Sequence, residues 1–219
     1  MDPLEIAVKV GLFFIPFLFA LCFHEFAHGY VAKLRGDNTA ELMGRLTMNP
    51  LAHVDWVGTV GLPIMAIIFG LPLFGWAKPV PVNPGNFKDP KNDMFWVAIA
   101  GPLSNIFLFI VGLGAFAVLV HVVKLAPGSP LYQLVQMFMF INLILAFFNL
   151  LPLHPLDGGK VLERFIPYEW NRWLENHQYH LNIALLFLIL SGGFRYMAAP
   201  LYGILRSSMA MVLAAGGGA

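Results

Sequence analysis

The sequence predicts an all-α polytopic membrane protein, with about four to six membrane helices, a re-entrant segment and a small membrane-associated β element near residues 40–50. Three observations lead there. Of the residues, 58% are hydrophobic and 11% charged, whereas a soluble domain carries about 25% charged residues. Apolar runs of the roughly 20 residues that a helix needs to cross a bilayer recur along the chain. One run is cut repeatedly by proline and glycine, which a straight spanning helix accommodates poorly.

The first run covers residues 4–34 and contains LCFHEFAHGY at 21–30. Residues 40–56, AELMGRLTMNPLAHVDW, are semi-polar and too short for another span, and 42–48 fit a strand or hairpin at the membrane surface. The second run, 56–74, carries Gly58, Gly61, Pro63, Gly70 and Pro72. A polar, proline-rich loop follows at 75–93, GWAKPVPVNPGNFKDPKND. The third and fourth runs occupy 94–123 and 131–151. A fifth begins near His180, weakens at SGGFRY (191–196), and is followed by an apolar piece at 198–215. Residues 216–219 read as a flexible tail of the kind an expression vector adds.

Charge and cysteine content exclude several classes. A net charge of +1 offers nothing to nucleic acid or to an acidic ligand. A single cysteine, Cys22, rules out an internal disulfide framework. The opening MDPLEIAVKV lacks a basic n-region and a small-residue cleavage site, so no removable signal peptide is expected.

Chemistry enters at HEFAH, residues 24–28. On an α-helix, His24 and His28 lie about 40° apart on one face, and Glu25 falls in the same broad arc. That spacing lets both imidazoles reach one metal ion while the glutamate touches a water beside it. Ionisable residues inside a membrane helix are costly and mark functional pathways, which favours this reading over incidental packing or snorkelling. A catalytic zinc site needs three protein ligands and an open position. NLLPLHPLDGG, at 149–159, supplies a candidate in Asp157, which follows a proline-interrupted stretch and precedes two glycines. Taken alone, that aspartate fits a helix end at the interface equally well.

HEFAH at 24–28, AGPLSN at 100–105 and NLLPLHPLDGG at 149–159 occur in the order seen in site-2 proteases, the intramembrane metalloproteases. GRLTMNPLAHVDWVGT and GWAKPVPVNP also resemble the short prokaryotic branch of that family. The similarity covers about residues 10–165 and implies a single intramembrane protease domain over 1–215. It implies one Zn2+ per chain held by His24, His28 and Asp157, with Glu25 as general base. By the same mapping Asn149 helps hold the scissile carbonyl or its oxyanion, and Gly101 and Asn105 lie on the helix beside the site. The implied substrate is a transmembrane protein cut within or near its membrane segment, in regulated intramembrane proteolysis. The implied setting is a multi-pass protein of a prokaryotic plasma membrane, working in the lipid bilayer with its site towards the cytoplasm. His154 departs from the expected apolar or proline residue and reads as a loop histidine at the water boundary, while His53 is given no metal role. Neither a PDZ-like insertion nor paired CBS domains fit this length.

Topology tests the ligand set independently of the resemblance. If residues 56–74 fully crossed the membrane, parity would put Asp157 on the opposite face from His28. The segment is therefore expected to enter and leave on one side, leaving Lys78, Lys88 and Lys91 cytoplasmic with Lys33, Arg35, Lys160 and Arg164. A substrate helix must unwind to be cut, and its exposed backbone could pair with a strand at Leu42, Met43, Gly44, Arg45 and Leu46. Two rivals stand beside the hydrolase: a catalytically inactive relative that binds transmembrane helices, and a metal transporter. The intact Glu25 argues against the first, and the lack of an inverted repeat against the second.

Overall fold

The computed structural model describes residues 2–70 and 75–215, and every regular element among them is helical. Helix α1 (Pro3–Leu34) starts with Pro3 at its first position, where no N–H is needed, and with the Asp2 carboxylate accepting the Leu4 N–H. After a short α2 (Thr39–Leu42), a wide turn at Trp56–Gly61 runs into α3 (Leu62–Phe69). Helices α4 (Pro90–His121) and α5 (Pro130–Asn149) repeat the device of α1: a first-position proline behind a capping side chain, Asp89 and Ser129 respectively. The short α6 (Asp157–Glu163), α7 (Tyr168–Leu190) and α8 (Phe194–Ala215) complete the chain.

Among the described residues, four helical stretches are long and apolar enough to cross a membrane: Leu4–Leu34, Pro90–His121, Pro130–Asn149 and Phe194–Ala215. Their directions follow from contacts. Arg35 Nη1 lies 3.4 Å from Asp93 Oδ1, so the end of α1 and the start of α4 share one end of the bundle. At the other end, His121 Nε2 pairs with the Val212 carbonyl at 2.8 Å, joining the ends of α4 and α8. Phe13 and Phe17 of α1 pack with Ile141 of α5, and Tyr202 of α8 stacks on Phe140 at 4.0 Å. Helices α1 and α5 thus run one way, α4 and α8 the other.

Within lipid, helices associate through close packing and small residues rather than through the hydrophobic effect. Gly112 shows why: a Cβ there would lie 2.7 Å from Met139 Cγ, so only glycine lets α4 reach α5 at this level. Around that contact Phe109, Phe116, Met139, Leu205 and Met209 form a shared core of α4, α5 and α8.

The excursion between α1 and α4 turns back on itself. The apolar helix Trp56–Phe69 is only about 20 Å long at 1.5 Å per residue, short of the ~30 Å hydrocarbon layer. The chain then returns beside its own start. Trp76 N–H donates to the Gly58 carbonyl at 3.2 Å, Lys78 N–H to His53 at 2.9 Å, and the Thr59 hydroxyl to Trp76 at 2.7 Å. Gly58 permits this, since a Cβ there would fall 2.3 Å from the Trp76 ring. Residues 71–74 of the second apolar run, and the tail at 216–219, lie outside the described residues.

The β element expected near residues 40–50 does not form, and Leu42, Met43, Gly44, Arg45 and Leu46 are not a strand. Local hydrogen bonding takes their backbone donors instead. Leu42 and Met43 N–H close the turn of α2 onto Asn38 and Thr39, Gly44 donates to Glu41, and Arg45 and Leu46 both donate to Ala40. Gly44 adopts φ +65, a left-handed turn that ends α2. A segment whose donors are spent locally has no edge to offer a second strand.

Candidate metal centre

Two elements deliver three ligand-type atoms to one point. His24 and His28 come from the buried face of α1, and Asp157 from the first turn of α6. Their Nε2 atoms are 3.0 Å apart, and Asp157 Oδ2 lies 3.1 Å from His24 Nε2 and 3.3 Å from His28 Nε2. The group is the one His/Cys/Asp/Glu cluster of this kind among the described residues.

The far side of each imidazole fixes which nitrogen carries hydrogen. His28 Nδ1 is 2.7 Å from the Val97 carbonyl, which can only accept, so Nδ1 donates and the neutral ring keeps its lone pair on Nε2. His24 Nδ1 is 2.6 Å from Asn105 Oδ1. That amide is oriented by its own donations, from Nδ2 to the Ala20 carbonyl at 3.3 Å and to Asn142 Oδ1 at 2.9 Å. The neutral His24 ring likewise presents a bare Nε2. Asp157 Oδ2, buried, has no hydrogen-bond donor. Two lone pairs and a carboxylate oxygen facing one another repel unless positive charge, a metal ion or a shared proton, sits among them. Tetrahedral zinc bonded at about 2.0–2.1 Å sets neighbouring ligand atoms ~3.3 Å apart, close to the spacing found. The residues fit the metal, and three protein ligands leave the fourth position free for substrate or water.

Glycines make the approach possible. A Cβ on Gly101 would stand 2.4 Å from His28 Nε2 and 2.6 Å from His24 Nε2, so α4 can lie against both rings only without one. A Cβ on Gly158 would stand 2.3 Å from the Leu151 carbonyl, so the start of α6 can fold tightly under the end of α5. This tight fold is what brings Asp157 back to α1.

The three ligands open onto a cleft of about 390 Å³ that also holds Glu25, Asn149, Lys160 and the loop residues 75–77, 79, 80 and 82. Glu25 is buried, and its Oε2 accepts the Val80 N–H at 2.7 Å. The Arg45 guanidinium clamps the loop just before this contact, donating to the Lys78 and Pro79 carbonyls at 2.9 and 3.2 Å. Just after it, Asp37 accepts from Asn83 N–H and from Asn86 Nδ2, both at 2.7 Å. Burial would raise the Asp37 carboxyl, but donors from Thr39, Asn83 and Asn86 outweigh it and hold the group below its ordinary range. Asn149 lines the cleft with its Nδ2 donating back to the Leu145 carbonyl at 3.0 Å.

Of the residues expected at the site, His24, Glu25, His28, Gly101, Asn105, Asn149 and Asp157 are brought together, whereas 42–46 contribute only Arg45, from outside the cleft wall. His154 is buried and pairs with Asn171 of α7 at 3.2 Å, while His53 pairs with the Thr47 carbonyl at 2.9 Å. Sequence reasoning missed Asn142, Val80 and Asp37. An asparagine within an apolar run was the available signal for the first; Val80 acts through its backbone N–H and Asp37 through partners in a distant loop, which no pattern displays.

Comparison with known proteins agrees with this chemistry. The model of peptidase family M50 matches residues 120–192. A protein of Bacillus subtilis named "Putative zinc metalloprotease YwhC" is 36% identical over 205 residues, covering 92% of this chain and 90% of its own. "Putative zinc metalloprotease Rip2" of Mycobacterium tuberculosis is 30% identical over 192 residues, 87% of this chain and 71% of its own. "Zinc metalloprotease MJ0392" of Methanocaldococcus jannaschii is 26% identical over 188 residues but is matched over only 44% of its length. No solved structure matches the chain. With a relative this similar over nearly its whole length, and with a His–His–Asp cluster inside apolar helices, the chain belongs to peptidase family M50, the site-2 proteases.

Proposed function

We propose that this protein is an intramembrane zinc endopeptidase that cuts transmembrane substrates within or near the bilayer. The observation that carries the reading is the convergence of two bare imidazole nitrogens and an unpartnered carboxylate oxygen in a cleft that also contains Glu25.

Zinc, held by His24, His28 and Asp157 at one ion per chain, supplies a Lewis acid that lowers the pKa of water and polarises a carbonyl. Glu25 takes the proton of the attacking water and passes it to the leaving amine. Its carboxylate is held ready by the Val80 N–H. Asn149, released from the Leu145 carbonyl, turns its amide N–H towards the developing oxyanion. The apolar walls from Leu21, Val97, Leu145 and Phe148 restrict water to the cleft.

The chain is a multi-pass membrane protein, and we place residues 56–74 as the re-entrant segment. Its support is the return of residues 76–78 onto 53–59 and the shared end of α1 and α4. Lys33, Arg35, Lys78, Lys88, Lys91, Lys160 and Arg164 then gather at the metal-site end, which the positive-inside rule assigns to the cytoplasm of a prokaryotic plasma membrane.

Glu25→Gln tests the activity. In detergent or liposomes it should bind zinc as wild type does and lower cleavage of a transmembrane reporter by about 100-fold or more. Undiminished cleavage would refute the mechanism. A reporter inserted at residues 78–91 and read as extracytoplasmic would refute the topology.

A further inference from the structure

The membrane interior contains two asparagines that are both fully buried, Asn105 on α4 and Asn142 on α5. Buried amides in an apolar setting are costly unless every donor and acceptor is matched. Their bonds form a chain with one direction. Asn142 Nδ2 donates to the Phe138 carbonyl of its own helix at 2.9 Å, which turns its Oδ1 outward. That oxygen accepts from Asn105 Nδ2 at 2.9 Å, and Asn105 Oδ1 in turn accepts from His24 Nδ1 at 2.6 Å. A backbone carbonyl, which can only accept, thus sets the polarity of two side chains and of an imidazole in sequence.

We propose that Asn142 is a positioning residue for the metal ligand His24, acting through Asn105 from a helix that supplies no ligand of its own. The inference rests on the zinc reading above. Asn105 has a second anchor, the Ala20 carbonyl, but at 3.3 Å this is the longer bond. Removing the Asn142 oxygen leaves one amide hydrogen of Asn105 unpaired in an apolar interior. The amide is then free to swing about its side-chain bond, and the His24 ring loses its fixed orientation. Groups that orient metal-bound histidines contribute about 10–100-fold to metal affinity. With one anchor remaining, the lower end is expected.

The test uses the purified full chain in detergent, titrated with zinc against a chelating dye. Asn142→Leu should weaken zinc binding about tenfold. Asn105→Asp then provides the internal check. A carboxylate accepts from His24 Nδ1 and carries no amide hydrogen to satisfy, so in that background Asn142→Leu should change zinc affinity less than twofold. If Asn142→Leu does not yield folded protein, Asn142→Ala carries the same comparison. Wild-type affinity in the single variant, or an equal loss in both backgrounds, would overturn the proposal, since a purely structural role is indifferent to residue 105. Failure of the wild type to bind zinc would instead refute the metal site itself.

Discussion

Val80 donates its backbone N–H to Glu25 Oε2 at 2.7 Å, tying the loop that leads into α4 to the glutamate of α1. A hydrogen bond to a charged group contributes about 1.5–3 kcal/mol. Val80→Pro deletes the donor between two residues that are already proline, Pro79 and Pro81. Zinc content should stay at the wild-type level while kcat on a transmembrane reporter falls about 10–100-fold, the kinetic equivalent of that energy. Equal loss of zinc and activity would show that the loop holds the site together rather than orienting the carboxylate.

Gly101 faces both imidazoles without a side chain. Gly101→Ala places a Cβ 2.4 Å from His28 Nε2, a clash that the helix can relieve only by moving a ring or itself. Bound zinc should drop at least tenfold, and apo-protein unfolding should shift less than zinc-loaded unfolding. Metal analysis beside thermal denaturation separates the two.

Removing the metal has its own signature. A ligand that binds only the folded state at about 1,000 times its Kd stabilises by ~4 kcal/mol. A chelator should therefore lower the unfolding temperature of wild type and leave Asp157→Asn unchanged, because that variant has lost the anionic member of the ligand set. A chelator shift of equal size in both would place the stabilising ion elsewhere.

Asp37 predicts an acid-sensitive latch. Its folded pKa is below its unfolded value near 3.8. Its contribution is therefore fully present above that value and is lost as pH falls through the folded pKa. Asp37→Ala should cost about 3 kcal/mol at pH 7, since it leaves the Asn83 N–H and the Asn86 amide without their acceptor. The cost should shrink below about pH 4. Denaturation of the two proteins from pH 3 to 7 measures this directly.

Much of the centre was legible because its chemistry conflicts with its surroundings. His24, Glu25 and His28 stand out in an apolar run, and the i, i+4 spacing gives their geometry without knowledge of the fold. Asp157 was harder, since a carboxylate after a proline break fits an ordinary helix end; only the tight packing that Gly158 permits returns it to α1. The strand at 42–46 failed for a local reason. Its apolar and glycine pattern suits a surface hairpin, yet a carboxylate two residues before Thr39 caps a helical turn that takes up the donors. Asn142 carried a signal, a lone amide in a hydrocarbon stretch, but its partner on another helix depends on register that a single sequence does not encode.

The alternating directions of the four long helices also fix where the ends of the chain go. An even number of passages returns a polypeptide to the compartment it left, and the contact of His121 with Val212 marks that return. Residues 2 and 215 therefore lie towards one end of the helix bundle, and the Arg35–Asp93 pair that joins α1 to α4 lies at the other.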